Sequence, residues 1–123
     1  MIHVAVVDDH PHVAIALRAL LDKTPDIRLV AESRHGNEVA ALVRQARPDY
    51  VLLWGWGVMN STALKEAQAT GYPREKMYGV WWSGAEPDVK DVGEGAKGYN
   101  ALVFLAPAGQ GQVHKDIIKY VYD

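Results

Sequence analysis

The fold is decided by the stretch Pro48-Asp49-Tyr50-Val51-Leu52-Leu53-Trp54-Gly55-Trp56-Gly57. Its apolar run is preceded by Pro-Asp and followed by glycine, a pattern typical of a buried strand that ends in a turn. In an open parallel sheet, ligands and reacting groups lie beyond the carboxyl ends of the central strands. Trp54 takes that place here, so a bulky apolar ring follows the strand.

The composition predicts one soluble globular domain. The chain has 123 residues, of which 49% are apolar and 23% charged, enough to bury a core without covalent cross-links. A net charge of −2 provides no electrostatic surface for nucleic acid or an anionic membrane, and no apolar run approaches the ~20 residues of a membrane span. The absence of cysteine excludes disulfides and thiolate chemistry. The sequence begins directly on a strand pattern, so we expect no signal peptide and a cytoplasmic location.

Residue types are distributed unevenly along the chain. Every aromatic residue lies at Tyr50 or later, five of the six arginines precede that residue, and six of the seven lysines and ten of the eleven glycines follow it. Two domains normally change composition at an exposed linker. Here the change falls inside a predicted strand, which suggests that two unrelated segments have been joined.

Strand and helix patterns alternate along the whole chain. The predicted strands are Ile2–Val7, Ile27–Ala31, Tyr50–Leu53 (preceded by Pro48-Asp49), Met77–Trp82 and Tyr99–Leu105. The predicted helices begin at Pro11, at Gly36-Asn37, at the capping residues Asn60-Ser61-Thr62, at Glu86 and near Val113. The fourth is predicted to run from Glu86 to Ala96, and the apolar face of the last consists of Val113, Ile117, Tyr120 and Val121. Strict alternation predicts a parallel sheet that is covered by helices on both faces.

Asp8 and Asp9 directly follow the first predicted strand. Carboxylates at such a position can bind a hard cation, so a weak Mg²⁺ site is one interpretation. The alternative, which we favour, is that they cap the first helix and are otherwise solvated, because Mg²⁺ requires near-octahedral oxygen ligation. His10 and His12 are close by, but two histidines on an exposed turn are usually solvated, and the remaining histidines form no ligand pattern.

Four tryptophans are predicted to end neighbouring strands. Trp54, Trp56 and the nearby Ser83 are candidates for lining an apolar ligand pocket. The alternative is that the rings are core and interface side chains, now partly exposed, which favours self-association. Ser83 lies in no nucleophile elbow. The sequence from Gly93 to Gly98 formally matches the G-x-G-x-x-G motif, but it ends a helix and precedes a strand, which is the wrong context for binding a pyrophosphate.

Residues 1 to about 53 resemble the receiver domain of bacterial response regulators. The resemblance is carried by Val4-Ala5-Val6-Val7-Asp8-Asp9-His10-Pro11, by Leu20-Leu21 and by Ala46-Arg47-Pro48-Asp49-Tyr50-Val51-Leu52-Leu53. It implies Mg²⁺ ligands at Asp8 and Asp9 and a phospho-accepting aspartate at position 54, where this chain has tryptophan. Ser83 could match the family's Ser/Thr after the fourth strand. The family's lysine after the fifth strand has no match, because Leu102 and Ala106 are the candidates.

From Pro48 onward the chain resembles one lobe of the periplasmic solute-binding proteins that serve branched-chain amino acid and amide transporters. The resemblance is carried by Tyr50-Val51-Leu52-Leu53-Trp54-Gly55-Trp56-Gly57, by Ala63-Leu64-Lys65-Glu66-Ala67 and by Gly95-Ala96-Lys97-Gly98-Tyr99. It implies a secreted protein that clamps a ligand between two lobes. Pro48–Leu53 suits both families, so it is a natural crossover point.

The leading hypothesis is a designed, flavodoxin-like chimera without evolved activity. It predicts a single three-layer α/β/α domain over residues 1–123, with five parallel strands in the order 2-1-3-4-5 and a fragment junction at about 48–54. We expect no enzymatic activity, no cofactor beyond weak Mg²⁺, no specific partner, and a monomer or weak homo-oligomer. Two alternatives are a phosphorylation-incompetent, receiver-like interaction module and a truncated solute-binding lobe with weak affinity for a small ligand.

Overall fold

A computed structural model describes residues 1–104 and 109–122 of the chain. The strands are β1 (Ile2–Val7), β2 (Ile27–Ser33), β3 (Tyr50–Leu53), β4 (Met77–Gly79) and β5 (Asn100–Ala101). The helices are α1 (Pro11–Leu21), α2 (Val39–Ala46), α3 (Val58–Ala69), α4 (Glu86–Lys90) and α5 (Gln112–Ile117), the last of which continues into a π-helical segment (Ile118–Tyr122). Short 3₁₀ turns lie at Gly36–Glu38, Arg74–Lys76, Trp81–Gly84 and Gly93–Ala96.

The five strands form one parallel sheet in the order β2-β1-β3-β4-β5. This confirms the predicted flavodoxin-like architecture and strand order. β3 lies at the centre, where Val7 of β1 is in register with Leu53, and Leu53 is in register with Gly79 of β4. The predicted organising strand therefore joins the two halves of the sheet.

Alternation along the strands gives the sheet two different faces. One face carries the larger core, in which Ala5, Val7, Val51, Leu53 and Met77 pack under α2 and α3. On the opposite face a smaller cluster packs under α1, with Val6, Ala14 and Leu29 at its centre and Leu17, Leu21 and Leu52 around it. The first face is therefore the more completely covered.

The fourth and fifth strands are shorter than predicted. β4 ends at Gly79, and the predicted strand residues Trp81 and Trp82 lie in the following 3₁₀ turn. β5 depends on β4 for its pairing, so it ends once the Leu102 N–H has donated to the Gly79 carbonyl at 3.0 Å. The end of the predicted strand, Leu105, lies outside the described residues.

Helices in the second half also differ from their predicted bounds. α3 begins at Val58, so Asn60 lies within its first turn and is buried rather than serving as a cap. The predicted helix from Glu86 to Ala96 is divided into α4 and a 3₁₀ turn. Gly93 begins that turn with a φ of 59°, a left-handed conformation that interrupts an α-helix.

The last helix forms where the apolar spacing predicts it, but every residue from Gln112 to Tyr122 is exposed. Helices pack on both faces of the sheet, as predicted, with α2 and α3 on one face and α1 on the other. In the described residues the last helix adds no cover to the second face. Among the described residues, no helix is long and apolar enough to cross a membrane.

Candidate functional site

Backbone pairing brings residue 54 next to the acidic pair. The Trp54 N–H donates to the Val7 carbonyl at 2.8 Å, one residue before Asp8. On the other side of β1, the Asp8 N–H donates to the Ser33 carbonyl at 2.9 Å. The ends of β1, β2 and β3 therefore meet at one edge of the sheet, hereafter the carboxyl edge, as the sequence pattern predicts for a parallel sheet.

Asp8 is the buried member of the acidic pair. Its side chain is 1% exposed, whereas that of Asp9 is 51% exposed. The Asp8 Oδ1 accepts a hydrogen bond from the backbone N–H of His10 at 2.9 Å, while Oδ2 has no hydrogen-bond partner among the described residues. Burial raises the pKa of Asp8 above its usual 3.8, and the hydrogen bonds from His10 partly offset this increase.

His10 completes a compact group of possible metal ligands. Its Nδ1 lies 2.8 Å from Asp9 Oδ1 and 3.3 Å from Asp8 Oδ1, and the three ligand atoms lie within 4.8 Å of one another. His10 is also the residue that caps α1, without a side-chain capping bond. The Asp8 carboxylate bonds to the backbone N–H of His10, which precedes α1, and Asp8 is buried rather than solvated. The group retains oxygen ligands of the kind that Mg²⁺ prefers.

A polar cavity of about 350 Å³ adjoins the buried carboxylate on the side of β2. Its lining includes Asp8, Ser33, Glu38 and the apolar side chains of Pro11 and Ile15. Ser33 Oγ donates to Glu38 in a very short hydrogen bond. This cavity lies on the opposite side of β1 from Trp54, so the tryptophan does not line it.

Five aromatic rings form a continuous surface at the ends of β3 and β4. This aromatic surface consists of Trp54, Trp56, Trp81, Trp82 and Phe104. Trp56 stacks on Trp82 with ring centroids 5.6 Å apart and planes 7° apart. Trp54 and Trp81 meet the edges of the Trp82 ring at 6.5 and 4.3 Å. Trp56 is 61% exposed and Trp81 49% exposed, so the surface presents apolar rings to solvent.

Ser83 supports this surface from below. It is completely buried, its Oγ donates to the Gly55 carbonyl at 2.8 Å, and its own carbonyl accepts from the Tyr99 hydroxyl at 2.9 Å. Burial raises the pKa of Tyr99 well above its usual value, and Asp88 adds to the increase. The structure therefore places Ser83 beneath the rings, where it ties the loop after β3 to the turn after β4.

A second buried polar contact was not predicted from the sequence. Asn60 is fully buried and its Nδ2 donates to Asp88 Oδ2 at 2.9 Å, which joins α3 to α4. The sequence signal that pointed to Asn60 was its capping propensity. That propensity located a helix start but could not identify a partner that lies far along the chain.

These features define a flavodoxin-like α/β protein with indole rings at the carboxyl edge of its sheet. The chain belongs to the periplasmic binding protein family, whose model matches residues 32–122. A solved structure of an ABC transporter permease from the Pseudomonas fluorescens group is 25% identical and superposes with a TM-score of 0.80. That similarity covers 99% of this chain and 31% of the other.

Response-regulator proteins are also similar to this chain. A protein-glutamate methylesterase/protein-glutamine glutaminase 2 from Nitratidesulfovibrio vulgaris is 47% identical over 53 residues, which is 43% of this chain and 14% of the relative. The transcriptional regulatory protein LiaR from Bacillus subtilis is 38% identical over 53 residues, which is 43% of this chain and 25% of the relative. The chain thus spans at most a quarter of these two relatives. The response regulator domain of Thermotoga maritima CheB shares the fold, with 20% identity and a TM-score of 0.63 over 97% of this chain and 89% of the other.

Proposed function

We propose that the chain is a designed chimeric scaffold without evolved biochemical activity, formed by joining a receiver-like segment to a periplasmic-binding-protein-like segment within β3. Similarity to two families supports this proposal, since one match spans residues 32–122 and the regulator matches span 53 residues. Both source folds use the same parallel strand pattern at β3. A junction there preserves the central pairing with β1 and β4, so one hydrophobic core can form from both segments.

The observation that carries the proposal is the residue at position 54. Its backbone pairs with Val7 beside the buried Asp8, which is the location that the receiver resemblance gives to the phospho-accepting aspartate. An indole has no oxygen that can attack phosphorus, and its ring packs against Trp82 instead. The resemblance also leaves Leu102 or Ala106 at the lysine position; Leu102 is exposed, and Ala106 lies outside the described residues.

Acetyl phosphate provides the direct test. The protein is incubated with this phosphoryl donor and Mg²⁺, and its intact mass is measured. We expect no change in mass, because this chain lacks both the aspartate that would attack phosphorus and the lysine that would stabilise the developing charge. Stoichiometric addition of a phosphoryl group to an aspartate would refute the proposal and favour a functional receiver.

Trp54→Asp tests whether the carboxyl edge kept the receiver arrangement. The substitution places a third carboxylate beside Asp8 and Asp9, and their mutual repulsion costs stability in the absence of a cation. Mg²⁺ relieves the repulsion and stabilises the variant by linkage; at ten times the dissociation constant the gain is about 1.4 kcal/mol. Thermal melts with and without Mg²⁺ should show this gain in the variant and little change in the parent. Equal small shifts in both would show that the three positions do not form one site.

A second candidate function is weak binding of a small apolar or amino-acid-like ligand on the aromatic surface. The exposure of Trp56 and Trp81 favours it, since clustered rings at the ends of parallel strands are suited to ligand contact. Titration with leucine, followed by amide chemical shifts, should then perturb the loop after β3. Trp56→Ala should abolish the shifts and Val58→Ala, at an exposed neighbouring position, should not. Saturable binding that survives Trp56→Ala would place the ligand elsewhere.

A further inference from the structure

In the part of the chain that the structure describes, no helix covers the β3–β4 region of the second face of the sheet. We define the uncovered face by Ile2, Tyr50, Leu52, Tyr78 and Leu102. Ile2, Tyr50, Tyr78 and Leu102 are exposed by 39%, 37%, 41% and 65%, and Tyr50 and Tyr78 meet edge to face with centroids 5.9 Å apart. An apolar groove of about 360 Å³ runs over this surface beside α1. Large contiguous apolar surfaces of this kind are typical of interaction sites.

The same chain carries an unpartnered apolar helix. We call Gln112–Tyr122 the C-terminal helix. Val113, Ile117, Tyr120 and Val121 recur at helical spacing along it and are exposed by 70%, 44%, 73% and 68%. Such a stripe is stable in water only when it packs against another apolar surface.

The chain just after β5 lies at the carboxyl edge of the sheet. After β5, Phe104 packs its ring against Trp81 with centroids 5.7 Å apart, so the chain is held at the carboxyl edge, on the aromatic surface. Residues 105–111 then separate Phe104 from the C-terminal helix in the sequence, and the helix is exposed along its whole length. Among residues 1–104 and 109–122, neither the helix nor the uncovered face is covered by another element.

We propose that the uncovered face binds the C-terminal helix of a second copy of this chain. In a twofold dimer each helix covers the partner's sheet, so one exchange satisfies both apolar surfaces of both molecules. The contact needs no partner of another kind, since every copy of the chain carries both surfaces. The dimer is therefore specific to this chain.

The size of the contact matches a weak dimer. The C-terminal helix is about 16 Å long, which is enough to cover β3 and β4, strands of four and three residues. If each of about eight apolar side chains loses roughly 60 Å² of exposed area, one contact buries on the order of 500 Å². The twofold dimer makes the contact twice and buries about 1,000 Å², at the lower end of specific interfaces. We expect dissociation in the micromolar range.

Two single substitutions and their mixture test the exchange. Sedimentation velocity of the parent at increasing concentration should show a monomer converting to a discrete dimer. Ile117→Lys, in the C-terminal helix, and Tyr78→Lys, on the uncovered face, should each abolish the dimer, whereas Val58→Lys, at an exposed valine of α3, should leave it intact. A mixture of the two defective variants should recover part of the association, as a heterodimer weaker than the parent dimer, because one intact helix still meets one intact face. No recovery on mixing, or a dimer in either single variant, would refute the exchange.

A cysteine pair provides a readout that does not require a stable charged variant. The chain contains no cysteine, so Tyr78→Cys combined with Ile117→Cys introduces the two thiols alone. Mild oxidation should produce a covalent dimer on a non-reducing gel, and each single cysteine variant should produce much less. An intrachain disulfide that leaves the protein monomeric would show that the helix covers its own sheet and would overturn the proposal. Ladders of higher oligomers would likewise contradict a closed pair.

Discussion

Replacing Ser83 by alanine removes one buried hydroxyl and leaves the Gly55 carbonyl without that donor. The hydrogen bond is 2.8 Å long and buried, and leaving a buried acceptor unsatisfied costs about 1–3 kcal/mol. For a chain of 123 residues, an unfolding entropy near 2.1 cal/mol/K per residue converts this cost to a decrease in Tm of about 4–12 °C. Because Ser83 ties the turn of Trp81 and Trp82 to the loop of Trp56, the near-UV circular dichroism of the folded protein should also weaken.

The matched control is Ser61→Ala. The Ser61 Oγ donates to the Val58 carbonyl at 3.1 Å in an exposed position. This substitution removes the same hydroxyl as Ser83→Ala, but water can replace the lost hydrogen bond, and alanine is favourable in a helix. We expect a change within about 0.5 kcal/mol. Urea titration of both variants measures the difference. If Ser83→Ala lowered the free energy of unfolding no more than Ser61→Ala, the buried hydrogen bond between Ser83 and the Gly55 carbonyl would be contradicted.

Three further predictions concern the acidic pair, the contact between Gly79 of β4 and Tyr99, and the cooperativity of unfolding. Because the pKa of Asp8 in the folded state is raised above its usual 3.8, the folded protein keeps a proton that the unfolded chain loses. The free energy of unfolding should therefore fall as the pH rises from 3.8 through the raised pKa. In urea titrations from pH 3 to 7, Asp8→Asn should remove this fall and Asp9→Asn should retain it. A Cβ at Gly79 would overlap the Tyr99 hydroxyl, so Gly79→Ala should lower the free energy of unfolding by about 1–3 kcal/mol. Adding Tyr99→Phe should recover part of that loss in the double variant. Strictly additive losses would contradict the overlap. Since the central strand joins both halves of the sheet, the near-UV and far-UV transitions in urea should coincide, whereas two separated transitions would show that the halves form independent cores.

The sequence was sufficient to predict the sheet because the information was local. Apolar runs such as Ile2–Val7 and Tyr50–Leu53 mark strands by composition and boundaries alone, and alternation with helices implies parallel pairing. The 2-1-3-4-5 order came from the family resemblance and is the order observed. The proximity of Asp8 to position 54 follows from that order, so the main feature of the carboxyl edge was also predictable.

The remaining features depend on contacts between residues far apart in the sequence. Asn60 carries the signal of a cap, but burial against α4 gives it Asp88 as its partner. Ser83 resembles a site residue in the sequence, but its hydroxyl meets the Gly55 carbonyl below the surface. A local pattern can state which side chains are apolar or polar; only the packed chain decides which of them meet.

The same contrast between local pattern and tertiary contact explains the lengths of β4 and β5 and the position of the last helix. Apolar runs from Met77 and from Tyr99 specify strand-forming residues, yet a strand extends only as far as its neighbour, and β4 ends at Gly79. The helical spacing from Val113 to Val121 determines an amphipathic helix, but it does not determine which surface that helix covers. The sequence by itself thus determined the strands and helices and their succession along the chain, whereas the strand order in the sheet came from the family resemblance. The tertiary structure decided where the elements end and which apolar surfaces stay exposed, because pairing and burial are properties of two segments at once.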